Sequence, residues 1–148
     1  MAEFISYVSV DMRDNDDSGD YFSGDGKISV SKTRLTFTDG DNKIIIRGSF
    51  DLAGNNQISG GTITGIDAID DGKLLATFRK TSIDVSDLVN MPDSDSAFQR
   101  WVETVLFRGA DKVTGSAHTD KLYGWNGNDT IKGLGGNDAL FGVEATIA

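Results

Sequence analysis

The chain of 148 residues has no cysteine, one histidine and one proline. The first absence removes disulfides and every thiolate metal site, so stability must come from packing or from a metal held by other ligands. With His118 alone, an imidazole cluster for a softer metal is excluded, and a Ser-His-Asp triad would have to borrow that single residue. Positive charge is scarce as well: 14 Lys and Arg stand against 23 Asp and Glu, a net charge of −9. Such a balance argues against a nucleic-acid partner and against direct contact with an anionic membrane surface. No apolar run reaches the length of a membrane span, and the opening MAEFISYVSV lacks the basic region and long apolar stretch of a cleavable signal peptide.

Glycine and aspartate, by contrast, are arranged at a fixed interval. Asp111, Asp120, Asp129 and Asp138 lie nine residues apart, each followed two places later by an aliphatic: Val113, Leu122, Ile131 and Leu140. The rows read LFRGADKVT, GSAHTDKLY, GWNGNDTIK and GLGGNDALF, with Gly109, Gly127 and Gly136 at the fourth place of rows one, three and four. Six turn-like residues followed by three extended ones suit neither a helix nor a hairpin. They can wind into a parallel β-roll whose strands alternate between two sheets, one full coil taking two rows. The aliphatics then fill the core, and the glycines allow the bends. Turns on one edge are two rows apart, which stacks Asp111 near Asp129 and Asp120 near Asp138. Like charges so placed call for a cation between them, and a hard divalent ion bound by carboxylates and freed backbone carbonyls fits: Ca2+, with six to eight oxygen ligands.

These rows resemble the RTX, or haemolysin-type, calcium-binding nonapeptide repeat, with pattern GGxGxDxUx, over residues 106–142. GWNGNDTIK and GLGGNDALF follow it closely; His118 in row two and Leu106 and Phe107 in row one depart from it. The resemblance implies metal sites at Asp111, Asp120, Asp129 and Asp138 with Gly127 and Gly136, and weaker binding in the first two turns. A fifth row begins at Gly142 with Ile147 at its Asp place, so the roll is expected to stop there. The resemblance also implies export of the unfolded chain by a one-step (type I) secretion apparatus, and hence a secreted, extracellular or cell-surface location. Low cytoplasmic calcium would leave the roll loose, and roughly millimolar external calcium would fold it.

Residues 1–90 read as β throughout, with strands expected near 4–11, 27–31, 33–38, 43–52, 57–68, 73–79 and 81–85. An all-β fold follows, its N-terminal domain either a β-sandwich or an irregular β-solenoid. The Ile44-Ile45-Ile46 run puts apolar side chains on both faces of its strand. One loop carries candidate ligands: Asp14, Asp16, Ser18, Asp20 and Asp25, with Gly19 at the sixth place, follow the spacing of an EF-hand-like loop; a solvated acidic hairpin is the other reading. Pro92 marks a boundary, and residues 91–107 read as a linker and a helix begun at Ser94, with Phe98, Trp101, Val102, Val105 and Leu106 on one stripe. This helix is expected to cap the roll of residues 108–148 and tie it to the N-terminal sheet.

Trp101, Tyr123 and Trp125 suggest a sugar-stacking platform, with Trp125 exposed in a turn; packing of the tryptophan against a neighbour is the other and commoner reading. Abundant Asp permits a polysaccharide-active enzyme as a minor reading, but calcium accounts for the carboxylates better, and no enzyme is expected. Two functions remain: a calcium-folded extracellular binding or surface-associated module, whose partner is a polysaccharide or another surface, and a structural protein that self-associates into a matrix or layer. Light scattering during a calcium titration separates them. The first predicts a folded species of fixed small size; the second predicts large particles that grow with calcium.

Overall fold

The computed structural model describes residues 1–7, 27–54 and 57–87, the backbone of 88–89, and residues 100, 102–142 and 146–147. After a short strand β1 (Glu3–Ser6), the N-terminal part runs through β2 (Lys27–Val30), β3 (Arg34–Asp39), β4 (Asn42–Ala53), β5 (Gln57–Asp70) and β6 (Lys73–Asp84). Strands β2 to β6 form an antiparallel meander in sequence order. The β5–β6 hairpin turns on Asp71 and Gly72, both in the left-handed region at φ 49° and 72°, as a tight hairpin requires.

Alternation makes one face of this sheet apolar. Leu35 and Phe37 lie opposite Ile46 and Ile44, Ile46 opposite Ile66, Ile66 opposite Phe78, and Phe78 opposite Phe4. Ile45 falls on the other face, between Thr36 and Asp67. There the buried Asp67 carboxylate is paired with Arg47 and accepts the Thr77 hydroxyl at 2.6 Å. Arg47 first, and then Thr77, hold the Asp67 carboxyl below its ordinary range against the opposing effect of burial.

The all-β class is as the periodicity implies, but the N-terminal strands form a single antiparallel sheet, neither a sandwich nor a solenoid. Its apolar face is covered from the roll side by Val102, Leu106, Phe107 and Trp125, which gather beside Phe4, Ile66 and Phe78. Strand β6 is also continuous where a break was expected. Lys80 sits at φ 56° in a bulge that shifts register between the Gly65–Arg79 and Ile63–Ile83 pairs. A helical turn α1 (Val85–Val89) follows, unforeseen from periodicity because it is too short to show one. Its start is capped by Asp84, whose Oδ1 accepts the Ser86 amide at 2.8 Å and hydroxyl at 2.6 Å.

The expected capping helix is described only at its end. Val102–Leu106 is a π-type turn in which the Phe107 amide donates to the Val102 carbonyl at 3.0 Å. Ser94, Phe98 and Trp101 lie outside the described residues. Then come β7 (Lys112–Thr114), β8 (Lys121–Trp125), β9 (Thr130–Lys132), β10 (Ala139–Gly142) and β11 (Thr146–Ile147). All pairings among them are parallel: β7 with β9, β9 with β11, and β8 with β10. The strands therefore alternate between two sheets, and Val113, Leu122 and Ile131 point into the core with no exposure.

The roll does not stop at Gly142. Thr146 and Ile147 pair with Thr130 and Ile131, and the Thr146 amide donates to the Asp129 carbonyl at 2.7 Å. The last connection is two residues shorter than a full coil, so Ile147 falls in register with the aliphatic column and not at an Asp place. At its other end the roll meets the N-terminal sheet. Strand β1 pairs parallel with β7 on one edge and antiparallel with β6 on the other, joining meander and roll into one nine-stranded sheet of order β11-β9-β7-β1-β6-β5-β4-β3-β2.

Phe107 packs over this junction. Its ring lies 5.2 Å from Phe78, 6.3 Å from Phe4 and 4.7 Å from Trp125, centroid to centroid. Phe107→Ala is expected to cost about 3–5 kcal/mol in urea unfolding, through lost burial and the cavity left behind. A loss below about 1 kcal/mol would show that this aromatic joint contributes little to holding the two parts together.

Candidate metal centre

Each repeat aspartate stands immediately before a short strand, so its carboxylate faces back over the turn that precedes it. The row-opening glycine makes room for it: a Cβ on Gly124 would lie 2.7 Å from Asp129 Oδ2, and Gly115 and Gly133 stand in the same relation to Asp120 and Asp138. Asp111, Asp120 and Asp129 are buried, at 3, 2 and 1 % exposure.

The structure brings together the two pairs that the spacing implied. Asp129 Oδ1 accepts the Asp111 amide at 2.9 Å, and Asp138 Oδ1 accepts the Asp120 amide at 3.0 Å, each across 18 residues. One oxygen of the later carboxylate in each pair is thus held by a backbone donor, which relieves part of the charge that a cation alone was expected to balance. The Oδ2 atoms of Asp120 and Asp129 differ. Asp120 Oδ2 accepts both the Ser116 amide at 2.6 Å and its hydroxyl at 3.0 Å. Asp129 Oδ2 is buried and has no hydrogen-bond partner among the described residues. Burial raises the Asp129 carboxyl above its ordinary range, with the hydrogen bond from Asp111 opposing and the Asp111 charge adding to the rise.

A buried carboxylate oxygen without a donor is costly unless a cation meets it. Backbone oxygens converge near by. Gly127 has φ 145°, and a Cβ there would overlap the Gly109 carbonyl and lie 3.0 Å from Asp129 Oδ1. On the other edge Gly136, at φ 113°, brings the His118 carbonyl to 2.5 Å from where its Cβ would stand. Among the described residues, no three acidic, His or Cys side chains cluster to hold a metal. A shell of six or more oxygens at these turns must therefore draw on carbonyls, which suits a hard ion such as calcium.

Residues 107–140 match the family model of the RTX calcium-binding nonapeptide repeat, in four copies. The segment is a calcium-binding RTX repeat. The match leaves the N-terminal sheet outside it. No curated protein and no solved structure matches the chain. The donor set fits the ion: Asp111 and Asp129 with the Gly109 carbonyl would hold calcium on one edge of the RTX roll, and Asp120 and Asp138 with the His118 carbonyl on the other. Bound there, calcium supplies positive charge to the stacked turns.

Two features of the RTX rows were not legible in advance. Ser116 fills the turn of row two and binds its own Asp120; a serine at the second place, where the pattern has glycine, was the available signal. Ala2 reaches Asp111 Oδ1 with its amide at 2.6 Å, a contact 109 residues away in sequence. Trp125, expected to be exposed, is buried at 7 % exposure, packed on Phe107 and Tyr123, although it holds φ 58° at a place where the repeat pattern has glycine. Tyr123 is likewise buried, so the pair forms no open sugar platform, and Trp101 lies outside the described residues. Asp14, Asp16, Ser18, Asp20 and Asp25 also lie outside them.

Protons and calcium compete for Asp129. Because burial raises its folded-state pKa, the protonated form stabilises the metal-free roll, and that contribution is lost as pH rises through the folded value. Calcium requires the ionised form, so its affinity should fall as pH falls through the same range. Calorimetry at mildly acidic pH, in buffers of different ionisation enthalpy, should show proton release on calcium binding, and less of it in Asp129→Asn.

Proposed function

We propose that this chain is a secreted calcium-binding RTX-type protein that folds its roll on calcium and acts outside the cell as a binding or surface-associated module. The observation that carries the reading is the unpartnered, buried Asp129 Oδ2, beside a turn whose glycine admits the Gly109 carbonyl. Without an ion, this edge of the roll holds uncompensated negative charge in a place shielded from water. Supplying the ion only after export keeps the chain loose inside and folds it outside, which suits passage through a type I apparatus. No catalytic role is assigned: the single imidazole belongs to a repeat turn, where its backbone amide donates to Ser116 Oγ at 3.0 Å.

The second reading, a self-associating matrix or surface-layer protein, draws on one observation. Strand β2 is one of the two outer strands of the long sheet among the described residues, and Ile28 on its apolar side is 64 % exposed. Such an edge can pair with another strand.

A calcium titration followed by far-UV circular dichroism and calorimetry tests the first reading. The β signal and the heat of binding should appear together near roughly millimolar calcium. Asp129→Ala and Asp138→Ala should each raise the midpoint by about tenfold or more, since even supporting groups around a metal are worth that much. A protein already fully ordered in chelator, with no binding heat, would sink the proposal.

A further inference from the structure

Strand β1 repeats, bond for bond, what each row of the roll does to the row two places on. The Asp111 amide donates to Asp129 Oδ1, and the Asp120 amide to Asp138 Oδ1; in the same way the Ala2 amide donates to Asp111 Oδ1 at 2.6 Å. The carbonyls match too. Asp111 accepts the Thr130 amide at 2.8 Å, Asp120 accepts the Ala139 amide at 2.8 Å, and Ala2 accepts the Lys112 amide at 2.9 Å. Two residues further, Phe4 lies in parallel register with Val113, as Val113 does with Ile131. Ala2 thus holds the place of a row's aspartate and Phe4 that of its aliphatic, in a segment with no repeat pattern of its own.

This strand is also shared. Its other edge pairs Glu3, Phe4, Ile5 and Ser6 antiparallel with Arg79, Phe78, Thr77 and Ala76. Glu3 reaches a lysine on each neighbour, Lys80 at 3.1 Å and Lys112 at 3.7 Å.

We propose that β1 is a detached first rung of the roll, through which the calcium state of the repeats is passed to the N-terminal sheet. The inference rests on the calcium-folding reading above and adds the route of coupling. If the Asp111 and Asp129 turns loosen without the ion, Ala2 loses its acceptor and β7 leaves the edge of β1, uncovering Phe4. Linkage runs both ways: calcium orders β1, and a docked β1 tightens calcium at the first pair of turns.

Hydrogen exchange on the full chain, in calcium and in chelator, tests this. The peptide spanning residues 1–7 should gain protection on calcium addition with the same midpoint as β7 and β9. Ala2→Pro removes the donor to Asp111 while leaving every β1–β6 pair in place, and should raise the calcium midpoint of β7 by about tenfold, the worth of one hydrogen bond to a charged group. Ala2→Gly keeps the amide and should stay close to the parent. Equal exchange of residues 1–7 in both conditions while β7 and β9 become protected, or an Ala2→Pro midpoint indistinguishable from the parent, overturns the coupling alone. If β7 and β9 gain no protection from calcium, the calcium-folding reading fails and the coupling falls with it.

Discussion

A buried carboxylate two rows below another, with one oxygen on a backbone amide and the other left without a donor, is the constraint from which the C-terminal half follows. Its cost is what makes the roll conditional. In water each Asp would be solvated; inside the stack, Asp129 at 1 % exposure can keep its charge only if an ion stands in for that solvent. The glycines are explained by the same carboxylates. Gly124 leaves space for the side chain of Asp129, and Gly127 lets a carbonyl from two rows above come close. The space left by the glycines and the unanswered carboxylate oxygen together suit a bound calcium ion.

The N-terminal sheet obeys different physics. It is an antiparallel meander with one apolar face and one face carrying the Arg47, Asp67 and Thr77 cluster, whose charges are balanced within the protein. Among the described residues of this sheet, the buried carboxylate is answered by a side chain of the protein itself. The two parts meet through β1 and the Phe4, Phe78, Phe107 and Trp125 rings, so the calcium-binding repeat and the meander share a strand and an aromatic cluster. Trp125 illustrates the compromise. It accepts a left-handed backbone at φ 58°, costing about 1–2 kcal/mol, and recovers it by burying its ring against Phe107.

Much of the roll was legible because its information is local. A nine-residue period sets which side chains point inward and which turns stack, and the pairs of Asp111 with Asp129 and Asp120 with Asp138 follow from counting. The strands of the meander were legible for a similar reason, since alternation such as Leu35 and Phe37 and the turn at Asp71-Gly72 are read within a few residues. What failed were judgements about distant partners. A turn place predicts exposure for Trp125, yet Phe107 from another row packs on its ring. Ile147 was read by its place in the count, whereas a shortened connection let it join the aliphatic column beside Ile131.

The sequence by itself determined the β class, the parallel coil, the calcium chemistry and the edges on which the aspartates stack, because each depends on spacing and side-chain type along a short stretch. Only the tertiary structure decided that the meander is one sheet, that Asp129 is the carboxylate left with an unanswered oxygen, and that the first rung of the roll comes from residues 3–6. Those outcomes depend on which backbone amides and rings meet across the chain. The contact of Ala2 with Asp111 spans 109 residues, and no local pattern around Ala2 encodes it, because a strand edge offers the same donors and acceptors whatever side chains it carries.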